Sequence, residues 1–183
     1  VCELPNSIEL IGGENIVVKN CQLGAQPTGI TCKVQEVNKL SFINNQVYPD
    51  GRENLVLDAC NNCVIEGNNF KSYYNGILAL NGNDNTVNKN IFWLTGAVQN
   101  QLLDHGDDFG IINVKGNNNM VTSNSLSCEW AYAGAVTVNA VQGTGNVFKN
   151  CFVDNLESYR VFLVNAQTEV SNCVSSDKVS IVE

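Results

Sequence analysis

Charge is scarce in this chain. Asp, Glu, Lys and Arg together make up 15% of the 183 residues, with 10 basic side chains against 18 acidic ones and a formal net charge of −8. An acidic chain without a Lys/Arg cluster is a poor partner for nucleic acid or an anionic membrane surface, so neither is expected. Long apolar runs are also missing, and none approaches the roughly 18 residues a membrane helix needs. The opening Val1-Cys2-Glu3-Leu4-Pro5 has neither a basic region nor an apolar stretch after it. No signal peptide is therefore expected, and the chain reads as a mature secreted one. The Asn-x-Ser/Thr acceptor pattern is absent although there are 29 asparagines, so these residues do not serve as glycosylation sites.

What is abundant points in two directions. Hydrophobic residues make up 44%, enough to fill a core. The asparagines and 15 glycines favour turns. Eight cysteines (Cys2, Cys21, Cys32, Cys60, Cys63, Cys128, Cys151 and Cys173) are many for a reducing compartment. Three readings stand side by side: disulfides, small buried thiols, or zinc at Cys60-Asn61-Asn62-Cys63. Zinc has little support, because there is no second such motif and His105 is the only histidine.

An internal repeat reconciles the turn residues with the apolar ones. Seven segments follow the pattern apolar-x-x-(Asn or Cys)-x-apolar: 18–23, 42–47, 65–70, 87–92, 121–126, 147–152 and a degenerate 169–174. Their anchoring residues read as Cys21, Asn45, Asn68, Asn90, Asn124, Asn150 and Asn172, at intervals of 24, 23, 22, 34, 26 and 22. About 13 residues before most anchors lies a second short apolar strand, among them Cys32-Lys33-Val34, Leu55-Val56-Leu57 and Val161-Phe162-Leu163-Val164. Such runs are too short for helices and rich in β-branched residues. Gly/Asn turns separate them, as in Asn81-Gly82-Asn83-Asp84-Asn85. One such unit cannot bury its own apolar side chains, whereas stacked units share a continuous core. The expected architecture is therefore an all-β, single-stranded, right-handed parallel β-helix of about seven coils, one domain over 1–183. It has three short parallel sheets and asparagine ladders along the stack. In this register Cys151 and Cys173 fall one rung apart, within the Cα separation a disulfide tolerates, so a bridge or at least direct stacking is expected.

The coil pattern resembles the pectin-lyase-like superfamily of right-handed β-helices, which includes polygalacturonases, pectate lyases and inulin fructotransferases. The resemblance spans nearly the whole chain and implies the fold. Within it, His105-Gly106-Asp107-Asp108-Phe109-Gly110-Ile111 is similar to the polygalacturonase segment Asn-Thr-Asp-x-Phe-Asp-Ile at Asp107, Phe109 and Ile111. The resemblance implies a catalytic role for Asp107 alone. The next coil, Trp130-Ala131-Tyr132-Ala133-Gly134-Ala135, has no Asp-Asp pair, and the family's Gly-His-Gly and Arg-Ile-Lys segments are missing.

The one long interval marks the candidate site. It reflects an insertion of some ten residues within the segment from Trp93 to Phe109, which holds His105 and the acids Asp104, Asp107 and Asp108. The same loop in other coils carries Tyr48, Lys71, Tyr73 and Tyr74, then Glu129, Trp130 and Tyr132, then Asp154, Tyr159 and Arg160. Both tryptophans and all five tyrosines lie on this edge. Stacking sets them along one flank, where aromatic faces suit sugar rings. Paired carboxylates are the equipment of glycoside hydrolysis, and rungs place two acids at separations suited to either stereochemical course. The candidate catalytic set is Asp107, Asp108, His105 and Glu129. The candidate substrate contacts are Trp93, Trp130, Tyr73, Tyr132 and Arg160.

The expected function is thus an extracellular carbohydrate-active protein that binds and cleaves a polysaccharide along this flank, as a glycosidase, lyase or glycan transferase. No cofactor is expected, except calcium held by Asp104, Asp107 and Asp108 in a lyase. The alternative is a non-catalytic structural or adhesive solenoid, associating end to end or as a homotrimer through its exposed terminal rungs.

Overall fold

The computed structural model describes residues 2–4, 8–25, 31–49, 54–72, 77–94, 110–128, 136–154, 160–174 and 179–182. Among them there is no helix. The strands form three wholly parallel sheets of seven, eight and seven strands, and successive strands pass from one sheet to the next. Sheet one contains β1 (Cys2–Leu4), β4 (Cys21–Ala25), β7 (Gln46–Pro49), β10 (Asn69–Ser72), β13 (Ile91–Leu94), β16 (Ser125–Cys128) and β19 (Phe152–Asp154). Sheet two contains β2 (Ile8–Glu14), β5 (Cys32–Asn38), β8 (Leu55–Asp58), β11 (Leu78–Asn81), β14 (Ile112–Val114), β17 (Val136–Ala140), β20 (Arg160–Asn165) and β22 (Val179–Val182). Sheet three contains β3 (Val17–Lys19), β6 (Ser41–Ile43), β9 (Val64–Glu66), β12 (Thr86–Asn88), β15 (Met120–Thr122), β18 (Val147–Lys149) and β21 (Glu169–Ser171). This is the expected all-β parallel β-solenoid.

Alternation along each strand sends every second side chain inward, and the register stacks like on like. Sheet one contributes the inward column Leu23, Val47, Phe70, Phe92, Leu126 and Val153. Sheet three contributes Val18, Phe42, Ile65, Val87, Val121, Phe148 and Val170. Phe70 and Phe92 stack face on, with ring centroids 5.0 Å apart and planes within 2°. All but Val18 and Val170 of these residues are fully buried, so the core is a rod of apolar ladders.

The corner from sheet three to sheet one has the same form in each coil. A residue with positive φ turns the chain, and the next residue points inward. Asn20, Asn44, Lys89, Ser123, Asn150 and Asn172 take the turning position at φ 52–55°, and Gly67 takes it at 66°. The inward residues are Cys21, Asn45, Asn68, Asn90, Asn124, Cys151 and Cys173. This corrects the anchors of the last two coils: Val121 faces Phe148, not Val147, so Cys151 and Cys173 continue the ladder. Asn150 and Asn172 instead turn the corner, because asparagine tolerates the left-handed backbone better than most residues. The same shift turns Phe152 outward, where it is exposed.

Each ladder asparagine satisfies two rungs. Asn90 Oδ1 accepts the Asn68 backbone N–H and its Nδ2 donor, both at 2.9 Å. Asn90 Nδ2 donates to the Ile65 carbonyl and to Asn124 Oδ1. A second ladder, not anticipated from sequence, runs through Asn85, Asn119 and Asn146 at the corner from sheet two to sheet three, beginning at the Cys63 backbone. Beside it, Cys60, Gly82, Gly116 and Gly143 stack backbone on backbone. A Cβ on Gly82, Gly116 or Gly143 would fall within the carbonyl group of the residue below it.

Candidate functional site

The third corner, from sheet one to sheet two, is where the connections vary in length. The chain leaves β13 at Leu94 and is next described at Gly110, whereas it leaves β10 at Ser72 and is described again at Ile77. Asp107, Asp108, His105, Glu129, Trp130, Tyr73 and Tyr132 lie outside the described residues. So do Asp104, Tyr74 and Tyr159. Arg160 opens β20, but its side chain is not among those described.

Four residues of the expected flank are described, and all stand on strands rather than in loops. Tyr48, Lys71, Trp93 and Asp154 occupy late outward positions of β7, β10, β13 and β19. The register aligns Gly24, Tyr48, Lys71, Trp93, Ser127 and Asp154 in one column across sheet one. With about 4.8 Å per rung, Tyr48 and Trp93 are roughly 10 Å apart, and Asp154 follows after a similar distance. Lys71 Nζ lies 4.4 Å from the centroid of the Trp93 ring, a cation–π contact that orients the indole. The Tyr48 hydroxyl donates to Gln46 Oε1 at 3.0 Å. Tyr48 and Trp93 are each 37% exposed, so part of each side chain reaches solvent.

The neighbouring outward column is Gln22, Gln46, Asn69, Ile91, Ser125 and Phe152. Amides thus fill its first three rungs, and the exposed Ile91 and Phe152 flank Ser125 in the last three. Lys71 and Asp154 are the face's only charges among the described side chains, and they cancel. The described part of the face thus carries no net charge, while Glu3 pairs in register with Gln22 at its first rung.

On the other side of the variable corner, Asn113 grips the returning chain. Its Oδ1 accepts the Gly110 N–H at 2.9 Å and its Nδ2 donates to the Gly110 carbonyl at 2.7 Å. Asn113 projects from the outward side of sheet two yet is 6% exposed. Gly110 follows Asp108 by two residues, so this clamp fixes the exit of the acidic segment. Asn113→Ala should cost about 1–3 kcal/mol, read as a lower urea midpoint, because it leaves a buried backbone N–H and C=O unpaired. Nearby, the buried Thr31 Oγ1 and Asn54 Oδ1 have no hydrogen-bond partner among the described residues. They occupy stacked positions at the entrance to sheet two.

The cysteines form pairs. Cys60 and Cys63 share a hydrogen bond across one corner, which draws the Cys60 thiol down to about 7 and pushes Cys63 up. Cys151 and Cys173 behave alike, with Cys173 drawn down to about 7 and Cys151 pushed up. The Cys151 N–H donates to Cys173 Sγ at 3.4 Å. The expectation was a bridge or direct stacking, and the structure shows stacking, with both thiols free. Burial pushes the Cys32 thiol up to about 12.

Solved structures with the same fold are those of DFA-IIIase from Arthrobacter chlorophenolicus A6. The lid-less form is 23% identical with a TM-score of 0.79, covering 96% of this chain and 46% of that one. The lid-less form in complex with GF2 is 22% identical with a TM-score of 0.75, covering 100% and 46%. A mutant in complex with DFA-III is 18% identical with a TM-score of 0.72, covering 96% and 51%. The chain spans about half the length of these structures. No curated protein matches it.

A family model described as "Periplasmic copper-binding protein (NosD)" matches residues 2–170. Copper(I) prefers clustered thiolates and thioethers, and copper(II) prefers imidazole and oxygen in a tetragonal set. Among the described residues no three His, Cys, Asp or Glu side chains come together. Met120, the only methionine, is outward and half exposed, and the two thiol pairs are buried at separate corners. The described residues therefore do not assemble a copper site, and no chemistry is assigned through copper. The match from the first described strand to the last rung of sheet three nevertheless shows the family: the chain belongs to the NosD family of parallel β-helix proteins.

Proposed function

We propose that this chain is part of a carbohydrate-active protein that holds a neutral polysaccharide across the rungs of sheet one and cleaves it at the adjoining flank. The observation that carries this reading is the column Tyr48, Lys71, Trp93, Ser127 and Asp154. Two part-exposed aromatic side chains stand two rungs apart there, Trp93 with Lys71 over its ring, on a surface of amides and hydroxyls whose described charges cancel. Aromatic faces bind the apolar faces of sugar rings, and the amides of Gln22, Gln46 and Asn69 suit their hydroxyls. The DFA-IIIase likeness supports the same class, since those structures are of a carbohydrate-active enzyme and two of them hold GF2 or DFA-III. The family description supports a location in the periplasm or outside the cell.

We assign cleavage to Asp107 and Glu129 as the acid and base or nucleophile, with Asp108 and His105 beside them and Trp130, Tyr73, Tyr132 and Arg160 as further sugar contacts. A hydrolase of this kind needs no cofactor, and calcium enters only in a lyase mechanism. Binding is tested by titrating the protein with GF2, DFA-III, a panel of neutral glycans and a polyuronate. Neutral sugars should bind, and Trp93→Ala should weaken that binding about ten-fold without moving the melting temperature, because the ring is outward. Asp107→Asn should abolish turnover and leave binding intact. Binding without turnover in the unmutated protein would make the face a non-catalytic glycan platform. Binding of no glycan at all would sink the proposal.

A further inference from the structure

The outward polar side chains at the corner from sheet two to sheet three bond to one another from rung to rung. Asn83 donates to Asn61 Oδ1, Asn117 to Asn83 Oδ1 and Thr144 to Asn117 Oδ1, at 2.9–3.2 Å. The outward amides that approach β4 and β7 from sheet three behave differently. Asn20, Gln22, Asn44 and Gln46 line a shallow groove of about 320 Å³ there, together with Cys21. All four amide residues are exposed. Among the described residues, the side-chain amides of Asn20, Gln22 and Asn44 make no hydrogen bond.

The backbone beneath this groove is fixed. The Asn20 N–H donates to the Ile43 carbonyl at 3.1 Å, the Asn44 N–H to the Glu66 carbonyl at 3.0 Å, and the Cys21 N–H to Asn45 Oδ1 at 3.0 Å. Asn20 and Asn44 both take the left-handed corner position, at φ 55° and 53°. The Asn44 amide leans over Gly67, where a Cβ would leave it no room. Gln22 and Gln46 pair in register one rung apart. Two residues along the same strands Gly24 pairs with Tyr48, so no side chain stands beside the phenol on that rung. The Tyr48 hydroxyl donates to Gln46 Oε1, which draws the ring back toward the groove.

Each amide offers both a donor and an acceptor, the combination that a sugar hydroxyl presents in return. No lining side chain is charged, so the groove holds no counter-ion for a carboxylate. Its volume is at the low end for small-ligand sites and suits one sugar ring rather than a chain. Trp93 stands two rungs beyond Tyr48, roughly 10 Å away, so one ring cannot reach both. We propose that this groove is a subsite for a single neutral sugar residue, held by the amides of Asn20, Gln22, Asn44 and Gln46 beside Tyr48. The inference rests on the reading of sheet one as a glycan-binding face and adds an anchor to it. A sugar seated here fixes which residues of the chain lie over Trp93 and at the variable corner.

The test is calorimetric titration with neutral glucan, mannan, xylan and fructan di- and hexasaccharides. The proteins compared are the parent, the double variant Asn20→Gly with Gln22→Ala, Trp93→Ala and the combination of all three changes. Glycine adopts the corner backbone without penalty and Gln22 is outward, so the double variant should keep the parent's melting temperature. It should bind the best hexasaccharide about ten-fold more weakly, and combination with Trp93→Ala should multiply the two losses, because the sites are separate. Gly24→Val is a second probe of the same groove. The nearest atom to its new Cβ is the Tyr48 carbonyl oxygen at 3.5 Å, so the backbone accepts it while the side chain narrows the space beside Tyr48. It should weaken hexasaccharide binding by a similar factor. Hexasaccharide affinity within about two-fold of the parent in both groove variants, with Trp93→Ala still weakening it, would overturn the subsite and leave the glycan face standing. Binding of no oligosaccharide by the parent would overturn both.

Discussion

Gly116→Ala should abolish the folded state or lower the melting temperature by more than about 10 °C, a loss exceeding about 4 kcal/mol. The reason is steric. Gly82, Gly116 and Gly143 lie in van der Waals contact through their backbones, and an added Cβ on Gly116 would occupy the space of the Gly82 carbonyl. No side chain can move to relieve this, because the obstacle is the main chain of the next rung. Gly12→Ala is the control. Nothing lies within 4 Å of its new Cβ, although φ is +68°. The cost there is conformational, about 1–2 kcal/mol. If the two variants melt together, the glycine stack does not set the rung spacing at this corner.

Asn90→Leu should be the most damaging substitution at a side-chain-bearing position of the ladder. Leucine has a similar volume but cannot replace the four hydrogen bonds Asn90 makes to Asn68, Ile65 and Asn124. The Asn68 N–H, one Asn68 amide hydrogen and the Ile65 carbonyl would be left buried and unpaired. At about 1–3 kcal/mol each, the loss is about 3–9 kcal/mol, read as a fall of roughly 10–30 °C in melting temperature. Lys89→Gly, at the preceding position with φ 55°, should do the opposite and stabilise slightly, because glycine adopts that backbone without penalty. An Asn90→Leu variant melting within a few degrees of the parent would show that the ladder does not bind the rungs together.

Much of the fold was legible because its determinants repeat. The interval of about 23 residues, the short β-branched runs of sheet two and the buried asparagines at Asn45, Asn68, Asn90 and Asn124 all fall where the pattern places them. The one-residue slip at Cys151 and Cys173 was hidden for a physical reason. Asparagine serves both the inward position and the left-handed corner, so Asn150 and Asn172 satisfy the pattern while standing in the other role. The second ladder was missed because Asn85, Asn119 and Asn146 sit in Gly/Asn turns that look like ordinary loops. At the site, the aromatic edge was visible as composition, but not the fact that Tyr48, Lys71, Trp93 and Asp154 share one column. That depends on register, which apolar spacing alone specifies only to within a residue.

The corner between sheets three and one takes two residues between strand ends in five coils and one in the first, while the corner from sheet one to sheet two is short in most coils and long in one. Doubling the length of a connection costs only about 0.6 kcal/mol in closure entropy. The ladder between sheets three and one, by contrast, keeps its spacing from rung to rung, because one slip there reverses which side chains face inward. Selection on such a scaffold is therefore split in space. One edge is held at nearly constant length by its asparagine ladder, a second varies by a few residues, and the third accepts long insertions. New specificities in this lineage should arise as length changes on that third edge, with the rod beneath inherited unchanged.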